Sequence, residues 1–236
     1  MPETRTFVAS PEAKATARKF RTFAIIGWVV AMIGQVLAIM KLISDETLIA
    51  LIVAIVAILA IAFFSGRFWK KSNKLDPTSE KNQLRFFLQN QLGAIMGVMC
   101  FLPMVISIFT SNNISGKTKA IAGTAASVAM TAAGISGAEF DAASIEKYSK
   151  EIEEQNKAAS SVGINANNVF WSKAGNKYHA YNDCQYIKGK ALSNGSIKES
   201  WEQKGISELC KVCRKRSAKA SKVKAKAGEM LEEAVN

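Results

Sequence analysis

The residues best suited to chemistry lie near the C-terminus, in the stretch Val169–Cys213. This stretch holds the only histidine of the chain, His179, and three of its four cysteines, Cys184, Cys210 and Cys213. Thiolates and imidazole are the ligands that zinc accepts in tetrahedral structural sites. Three thiolates and one imidazole leave no coordination position open, so the pattern predicts a structural Cys₃His zinc site rather than a catalytic one.

Short elements must bring these four ligands together. Residues 169–172 and 177–180 are typical of a β-hairpin with His179 on its return strand. Residues 196–204 have helical character and end at a glycine, and Cys210 and Cys213 then form a knuckle. Two alternatives are a redox dithiol at the knuckle and ordinary buried residues. The dithiol lacks the βαβ context of thioredoxin-like motifs, and a stretch of about 45 residues is too small for a core without a metal.

The same residues carry a resemblance. An aromatic strand, a Lys-Tyr-His179 run, Cys184, a helix ending in Gly205 and a final Cys-x-x-Cys resemble the small zinc-binding β-ribbon modules related to the bacterial alkylation-repair protein Ada. The resemblance covers Val169–Cys213 alone, and it implies a zinc ribbon of a kind attached to nucleases and to membrane proteins. Ada accepts an alkyl group through one cysteine of a set of four cysteine ligands. Because one ligand here is a histidine, that activity is not implied.

Long apolar runs fill the first 140 residues and predict an α-helical membrane protein with four transmembrane helices in two hairpins. Pro103 is expected to kink the third helix. The fourth run is rich in Ala, Gly, Ser and Thr, and small residues four apart favour close helix packing over a surface-lying helix. The expected organisation has five parts. A basic N-terminal segment (1–22) is followed by four spans (23–43, 47–65, 92–110 and 119–138) and by a helical stalk and linker (139–168). A small α+β zinc-ribbon-like module (169–216) and a basic helical tail (217–236) follow.

Charge indicates the topology. The net charge is +12, and the basic residues lie beside the apolar runs: residues 1–22 carry five basic and two acidic groups, and residues 66–92 carry six and two. With four spans these segments and residues 139–236 fall on one side, which the positive-inside rule makes the cytoplasm. The cysteines would then be kept reduced. We expect a multi-pass protein of the cell membrane with both termini cytoplasmic.

Two segments outside the spans bear on partners. Residues 144–159 are typical of a solvated helix whose narrow apolar stripe packs on its own protein or, alternatively, forms a short coiled coil and hence a homo-oligomer. The tail is strongly basic, and it favours anionic lipid headgroups over nucleic acid because no aromatic residues are interleaved with the charges. The basic residues of this candidate surface are Arg214, Lys215, Arg216, Lys219, Lys222, Lys224 and Lys226.

The sequence contains no catalytic constellation: it has no second histidine, no glycine-rich phosphate loop and no paired carboxylates inside the spans. We therefore expect a protein that is not an enzyme. The preferred hypothesis is a membrane protein that presents a cytoplasmic zinc module to a protein, lipid or nucleic-acid partner. The alternative is an oligomeric pore that the module regulates.

Overall fold

A computed structural model of the chain describes the backbone of residues 6–235 and the side chains as far as residue 223. By internal contacts the chain forms two units. One, here called the helical unit, is residues 14–144. The other, here called the module, combines the N-terminal residues up to 13 with the chain from residue 145 onward.

The helical unit contains the apolar runs. Four of its helices are long and apolar enough to cross a membrane, the third being interrupted by a short break. This confirms the expected number of apolar helices, including the fourth one, in length and composition. The helices are α1 (Pro11–Leu42), α2 (Leu48–Leu75), α3 (Gln83–Met99), α4 (Leu102–Thr110) and α5 (Gly116–Gly137).

Helix α1 begins with a capped N-terminus. Ser10 precedes it, and the Ser10 hydroxyl accepts a hydrogen bond of 3.1 Å from the Ala13 N–H. This satisfies one of the N–H groups that a first helical turn leaves without a partner. Pro11 then occupies the first helical position, where a missing N–H costs nothing.

The weakly apolar helix α5 is held by close packing against α3. Ala129, Ala133 and Gly137 form the buried side of α5. On α3, a Cβ atom added to Gly93 would lie 2.7 Å from the Gly137 carbonyl oxygen, and one added to Gly97 would lie 2.7 Å from that of Ala133. The two backbones therefore approach as closely as glycine allows. The small residues of α5 have their partners within the same chain.

The kink expected at Pro103 is present as the break between α3 and α4. Proline has no N–H to give, and the helical hydrogen bonds stop at Cys100 and Phe101. Gln35 of α1 is 2 % exposed and faces this break. With its amide nitrogen towards the carbonyls, Gln35 donates to Cys100 O at 2.9 Å and accepts from Met104 N at 3.1 Å. The one strongly polar side chain of the first apolar run thus replaces hydrogen bonds that the break removes.

Polar contacts connect the loops at each end of the helical unit. At one end Asp45 accepts hydrogen bonds from the N–H and the hydroxyl of Ser115. At the other end Arg21 pairs with Asp76 at 3.1 Å. The turns after α1 and α4 therefore share one end, as in an up-and-down arrangement of four helices.

Within the described residues, the module contains three helices and four short strands. The strands form two pairs, β1 with β3 antiparallel and β2 with β4 parallel. The elements are α6 (Ile145–Ser161), β1 (Val169–Ser172), β2 (Lys177–Tyr178), β3 (Leu192–Gly195), α7 (Ile197–Lys204), β4 (Glu208–Leu209) and α8 (Lys211–Val235).

The expected hairpin of β1 and β2 exists only in part. Phe170 and His179 exchange both backbone hydrogen bonds, at 2.8 and 2.7 Å. Beyond this bridge β1 pairs with β3 along its whole length, and β2 pairs with β4. Helix α7 follows its sequence signals: Ser196 and Glu199 form a capping box, and Gly205 ends the helix with φ of 65°.

Helix α6 belongs to the module by its contacts. Its apolar stripe meets Phe7, which lies before the first apolar helix and is 2 % exposed. The Phe7 ring stands edge-on to Tyr148 at 5.1 Å, and Ile152 and Trp201 belong to the same cluster. The stripe is thus covered by the protein's own segment, which fits the self-packing alternative. Residues 7–10 are called the N-terminal strap below.

Candidate metal centre

Each of the four predicted ligands lies at the end of a short element. His179 follows β2, and Cys184 lies on the turn beyond it. Cys210 separates β4 from α8, and Cys213 lies in the first turn of α8. The Cys210 N–H donates to Tyr178 O at 2.9 Å, so the strand before His179 is bonded directly to the knuckle. This bond brings the two halves of the ligand set together.

The four side chains form one buried cluster. Their ligand atoms all lie within 4.8 Å of one another, and each residue is no more than 5 % exposed. Donors of a tetrahedral zinc site are separated by about 3.5–3.8 Å, because the metal–nitrogen and metal–sulfur distances are about 2.0–2.3 Å. Cys213 Sγ and His179 Nδ1 are 3.7 Å apart. The cluster could hold a metal ion.

The surroundings of the cluster support thiolate ligands. The backbone N–H groups of Ala180 and Tyr181 donate to Cys213 Sγ, and such bonds stabilise a thiolate. Without a metal, burial dominates and raises the pKa of Cys213 to about 12. The Cys213 thiol is then protonated at neutral pH, so a metal ion must displace that proton to bind.

The histidine is prepared as a neutral ligand. Burial lowers the pKa of His179 below its usual value, and the nearby positive charge of Lys190 lowers it further. A neutral imidazole has a lone pair available for a metal, whereas an imidazolium has none. Both shifts therefore favour the form of His179 that can bind a metal.

Apolar residues and turn hydrogen bonds enclose the ligands. Ile187 is packed among the three cysteines, with Phe170 and Leu209 at the edge of the cluster. The Cys184 carbonyl accepts from the N–H groups of Ile187 and Lys188, both at 2.9 Å, which fixes the turn that carries Cys184. The fourth cysteine of the chain, Cys100, lies in the helical unit and is not part of this cluster.

The basic residues of α8 lie in different surroundings. Lys215, Lys219 and Lys222 are exposed, as is Arg214. Arg216 is held in place: it donates to both carboxylate oxygens of Asp183, at 2.8 and 2.9 Å, and its guanidinium lies 4.2 Å from the ring centre of Tyr181. The side chains of Lys224 and Lys226 fall outside the part of the chain that is described.

Sequence reasoning singled out the four residues that the structure brings together in one cluster, but it missed the residues that position them. The pairing of Arg216 with Asp183, next to Cys184, links α8 to the ligand-bearing turn across 33 residues. The strap around Phe7 has no local sequence signal, apart from being an apolar pair within a polar segment.

Comparison of the chain with protein-family models, with curated proteins and with solved structures found no significant match. The Ada-like resemblance of the module is therefore without support from a family match. What the structure does contain is the Cys₃His cluster itself.

Proposed function

We propose that this protein is a four-span membrane protein whose Cys₃His cluster binds a structural zinc ion, and that the zinc-stabilised module binds a partner in the cytoplasm. The observation that carries the proposal is the convergence of four buried ligand atoms from three separate parts of the module. Structural zinc contributes directly to the folding free energy of small domains.

Zinc is favoured by the donor set. Three thiolates with one imidazole suit Zn²⁺, and they fill a tetrahedral shell without room for a substrate. The burial of Cys210 and Cys213, at 3 % and 1 % exposure, argues against a reactive dithiol. The module is thus proposed as a binding domain and not as an enzyme.

The N-terminal strap supports an even number of spans. Phe7 precedes the first apolar helix and Trp201 follows the last one, yet both belong to one hydrophobic cluster. If the helices cross a membrane, both chain termini lie on the same side of it. The end of the helical unit near Arg21 carries the many basic residues around 18–21 and 67–74, which favours the cytoplasm by the positive-inside rule.

The proposed partner surface is the exposed face of α8. Lys211, Lys215, Lys219 and Lys222 are spaced so that they share one side of this helix, away from the buried Cys213. A row of ammonium groups next to a bilayer attracts anionic lipid headgroups by about 1 kcal/mol per charge. Nucleic acid is the competing anionic partner, and it would be bound through phosphate contacts.

The observation that suggested the alternative, an oligomeric pore, has another explanation. The pore was suggested by the small residues of α5, which would permit close packing between chains. In the structure Ala133 and Gly137 pack against the glycines of α3 in the same chain. No further observation on the described residues favours a pore over a binding module.

A single preparation tests the proposal. The protein is reconstituted into sealed vesicles, its zinc content is measured, and protease is added from outside before and after permeabilisation. We expect one zinc per chain, a large drop in zinc for Cys210→Ser, and cleavage of the module and the N-terminus under the same condition. Cys100→Ala is the matched control and should keep its zinc. Zinc-free protein would refute the metal site, and cleavage of the two termini under opposite conditions would refute four spans.

A further inference from the structure

A cavity of about 470 Å³ opens beside the metal centre, on the side of His179 and Cys210. Its volume is within the range of small-molecule sites. Part of its wall is the turn after β1, with Asn176, and part is the loop that carries Tyr186 and Lys190. The first residue of α8, Lys211, closes a third side. The cavity belongs entirely to the module.

The lining is positively charged. Lys177, Lys190 and Lys211 all contribute to the wall, and none of the described residues assigned to it is acidic. Lys177 pairs with Glu208, outside the cavity, whereas the described part of the chain offers no such pair to Lys190 or Lys211. The α8 N-terminus lies at the same place, and its peptide dipoles add positive potential there. Two ammonium groups are thus available for a ligand.

The metal centre does not cancel this charge. A zinc ion with three thiolates and one neutral imidazole carries a net charge of about −1. Lys177 is paired with Glu208, so Lys190 and Lys211 remain against that charge and leave a surplus of about one positive charge, to which the dipoles of α8 add. A site with this surplus attracts an anion.

The remaining lining has the character of an organic ligand site. Tyr186 is 57 % exposed, so one side of its ring is available for contact, and Ile187 and Ala174 add apolar surface. Asn176 and Ser172 supply hydrogen-bonding groups. The cavity is larger than an inorganic phosphate needs, which leaves room for the group to which a phosphate is esterified.

We infer that this cavity, here called the lysine pocket, binds the phosphate group of a small phosphate monoester, with Lys190 and Lys211 as the charged contacts. Lysine is a common phosphate ligand, because its ammonium group is a compact charge that needs no fixed geometry. The inference rests on the proposed function, because zinc fixes His179 and Cys210 in the pocket wall. Its ligand can be a soluble metabolite or the headgroup of a lipid such as phosphatidic acid.

The lysines have one competing role, namely to balance the thiolate charge at the metal. The two roles predict different losses. A balancing lysine, when removed, lowers zinc content or affinity but has no effect specific to phosphate. A ligand-binding lysine, when removed, weakens phosphate binding in protein that keeps its zinc.

The test uses the full-length protein in detergent micelles, with zinc content and ligand affinity measured on the same sample by elemental analysis and calorimetry. The soluble probes are inorganic phosphate and glycerol 3-phosphate, with malonate as a dianion that lacks phosphorus. Nanodiscs that contain or lack phosphatidic acid test whether the ligand is a lipid headgroup. The variants are Lys190→Ala and Lys211→Ala, and Lys188→Ala is the matched control because it is exposed on the same loop and does not line the pocket.

We expect glycerol 3-phosphate to bind, and each pocket variant to weaken it about tenfold with zinc unchanged, since one charged contact is worth about 1.4 kcal/mol or more. Lys188→Ala should bind as the unmodified protein does. Binding to phosphatidic acid nanodiscs but not to glycerol 3-phosphate would also support the pocket, provided that Lys190→Ala abolishes it, and would identify the source as a lipid.

The pocket is overturned by zinc-loaded protein that binds none of the phosphate probes, by equal binding of malonate, or by equal losses in Lys188→Ala. Absence of zinc would refute the proposed function separately. In zinc-free protein, phosphate binding that is lost in Lys190→Ala would still support the pocket, and the lack of any binding would overturn it as well.

Discussion

The two units distribute large and small side chains in opposite ways. In the helical unit many large apolar residues face outward, such as Phe23, Ile33 and Leu84 at 59 %, 56 % and 70 % exposure. Its helix contacts depend heavily on Ala and Gly. The module instead buries its tryptophans and isoleucines and exposes its lysines. The first pattern fits a lipid environment, where small residues drive helix packing, and the second fits water.

The difference extends to what holds each unit together. The helices of the first unit are individually long enough to be stable in a bilayer, and packing only selects their arrangement. The strands of the module are two to four residues long and could not fold without further support. We expect cross-links to supply that support, namely a metal ion bound by the Cys₃His cluster and the packing of the N-terminal strap. Perturbations chosen for one unit should therefore leave the other unit unchanged.

Zinc removal should produce the largest difference between the two units. Apparent binding free energies of structural zinc sites are about 10–16 kcal/mol, so chelation should unfold residues 169–213. The apolar helices contain no metal ligand and should stay folded. Hydrogen exchange measured before and after chelation would report both regions in one experiment. Equal protection of the module in the two states would contradict a structural role for the metal, and equal loss in the helices would contradict the independence of the units.

The strap should be the next most sensitive feature. Phe7→Ala removes a buried ring from the cluster with Tyr148 and Trp201, and such truncations cost about 3–5 kcal/mol. We expect faster hydrogen exchange in α6 and α7 with zinc retained. The neighbouring Val8 is 57 % exposed, and Val8→Ala should change stability by less than about 0.5 kcal/mol. If the two variants behave alike, Phe7 does not stabilise the module.

Two Gly→Ala substitutions should separate packing from helix propensity in the helical unit. At Gly97 the new methyl group would meet the Ala133 carbonyl oxygen at 2.7 Å, whereas at Gly34 it would meet Ile58 at an ordinary 3.6 Å. Gly97→Ala should cost about 1–3 kcal/mol, and Gly34→Ala should be neutral or gain up to about 1 kcal/mol from helix propensity. Thermal unfolding in detergent measures both. Equal midpoints would mean that α3 and α5 do not pack closely.

The pH dependence of zinc binding should be the mildest effect. Because burial raises the pKa of Cys213 to about 12, zinc displaces at least its proton at neutral pH. Zinc affinity should then fall at least tenfold for each pH unit of acidification, or about 1.4 kcal/mol per proton released.

The lowered pKa of His179 acts in the same direction. In the module unfolded by chelation, His179 takes up a proton below about pH 6.5, and zinc must displace that proton because the folded site holds the imidazole neutral. The contribution of His179 to zinc binding is therefore present above about pH 6.5 and is lost as pH falls. Zinc competition titrations at pH 8, 7 and 6 would check this sign. A zinc affinity independent of pH would contradict the protonated state of Cys213.

Local sequence signals predicted the parts that local physics decides. The members of the Cys₃His cluster, the glycine that ends α7 and the break near Pro103 each follow from residue types within a few positions. The apolar runs likewise predicted four helices from length and composition. The interpretation of the helices as spans, and the side on which the termini lie, stays a prediction.

Long-range partners could not be predicted in the same way. Strands β3 and β4 carry weak patterns, and they exist because β1 and β2 pair with them. The role of the α3 glycines follows only from their close contact with Ala133 and Gly137 of α5. Gln35 appears in the sequence as an isolated polar residue, and its partner is a break about 65 residues away in a different helix. None of these contacts has a periodicity that a single segment can display.

The N-terminal strap also has a consequence for biosynthesis. Phe7 is synthesised before the apolar helices, whereas Tyr148 and Trp201 follow after every apolar helix has been synthesised. The hydrophobic cluster can therefore close only when all the helices have been placed. If the helices cross a membrane and one of them failed to do so, Phe7 would lie across the bilayer from its partners, with its ring unburied and α6 uncovered. With a four-span topology, completion of the module would depend on correct membrane insertion, and an uncovered α6 would expose apolar surface to chaperones and proteases.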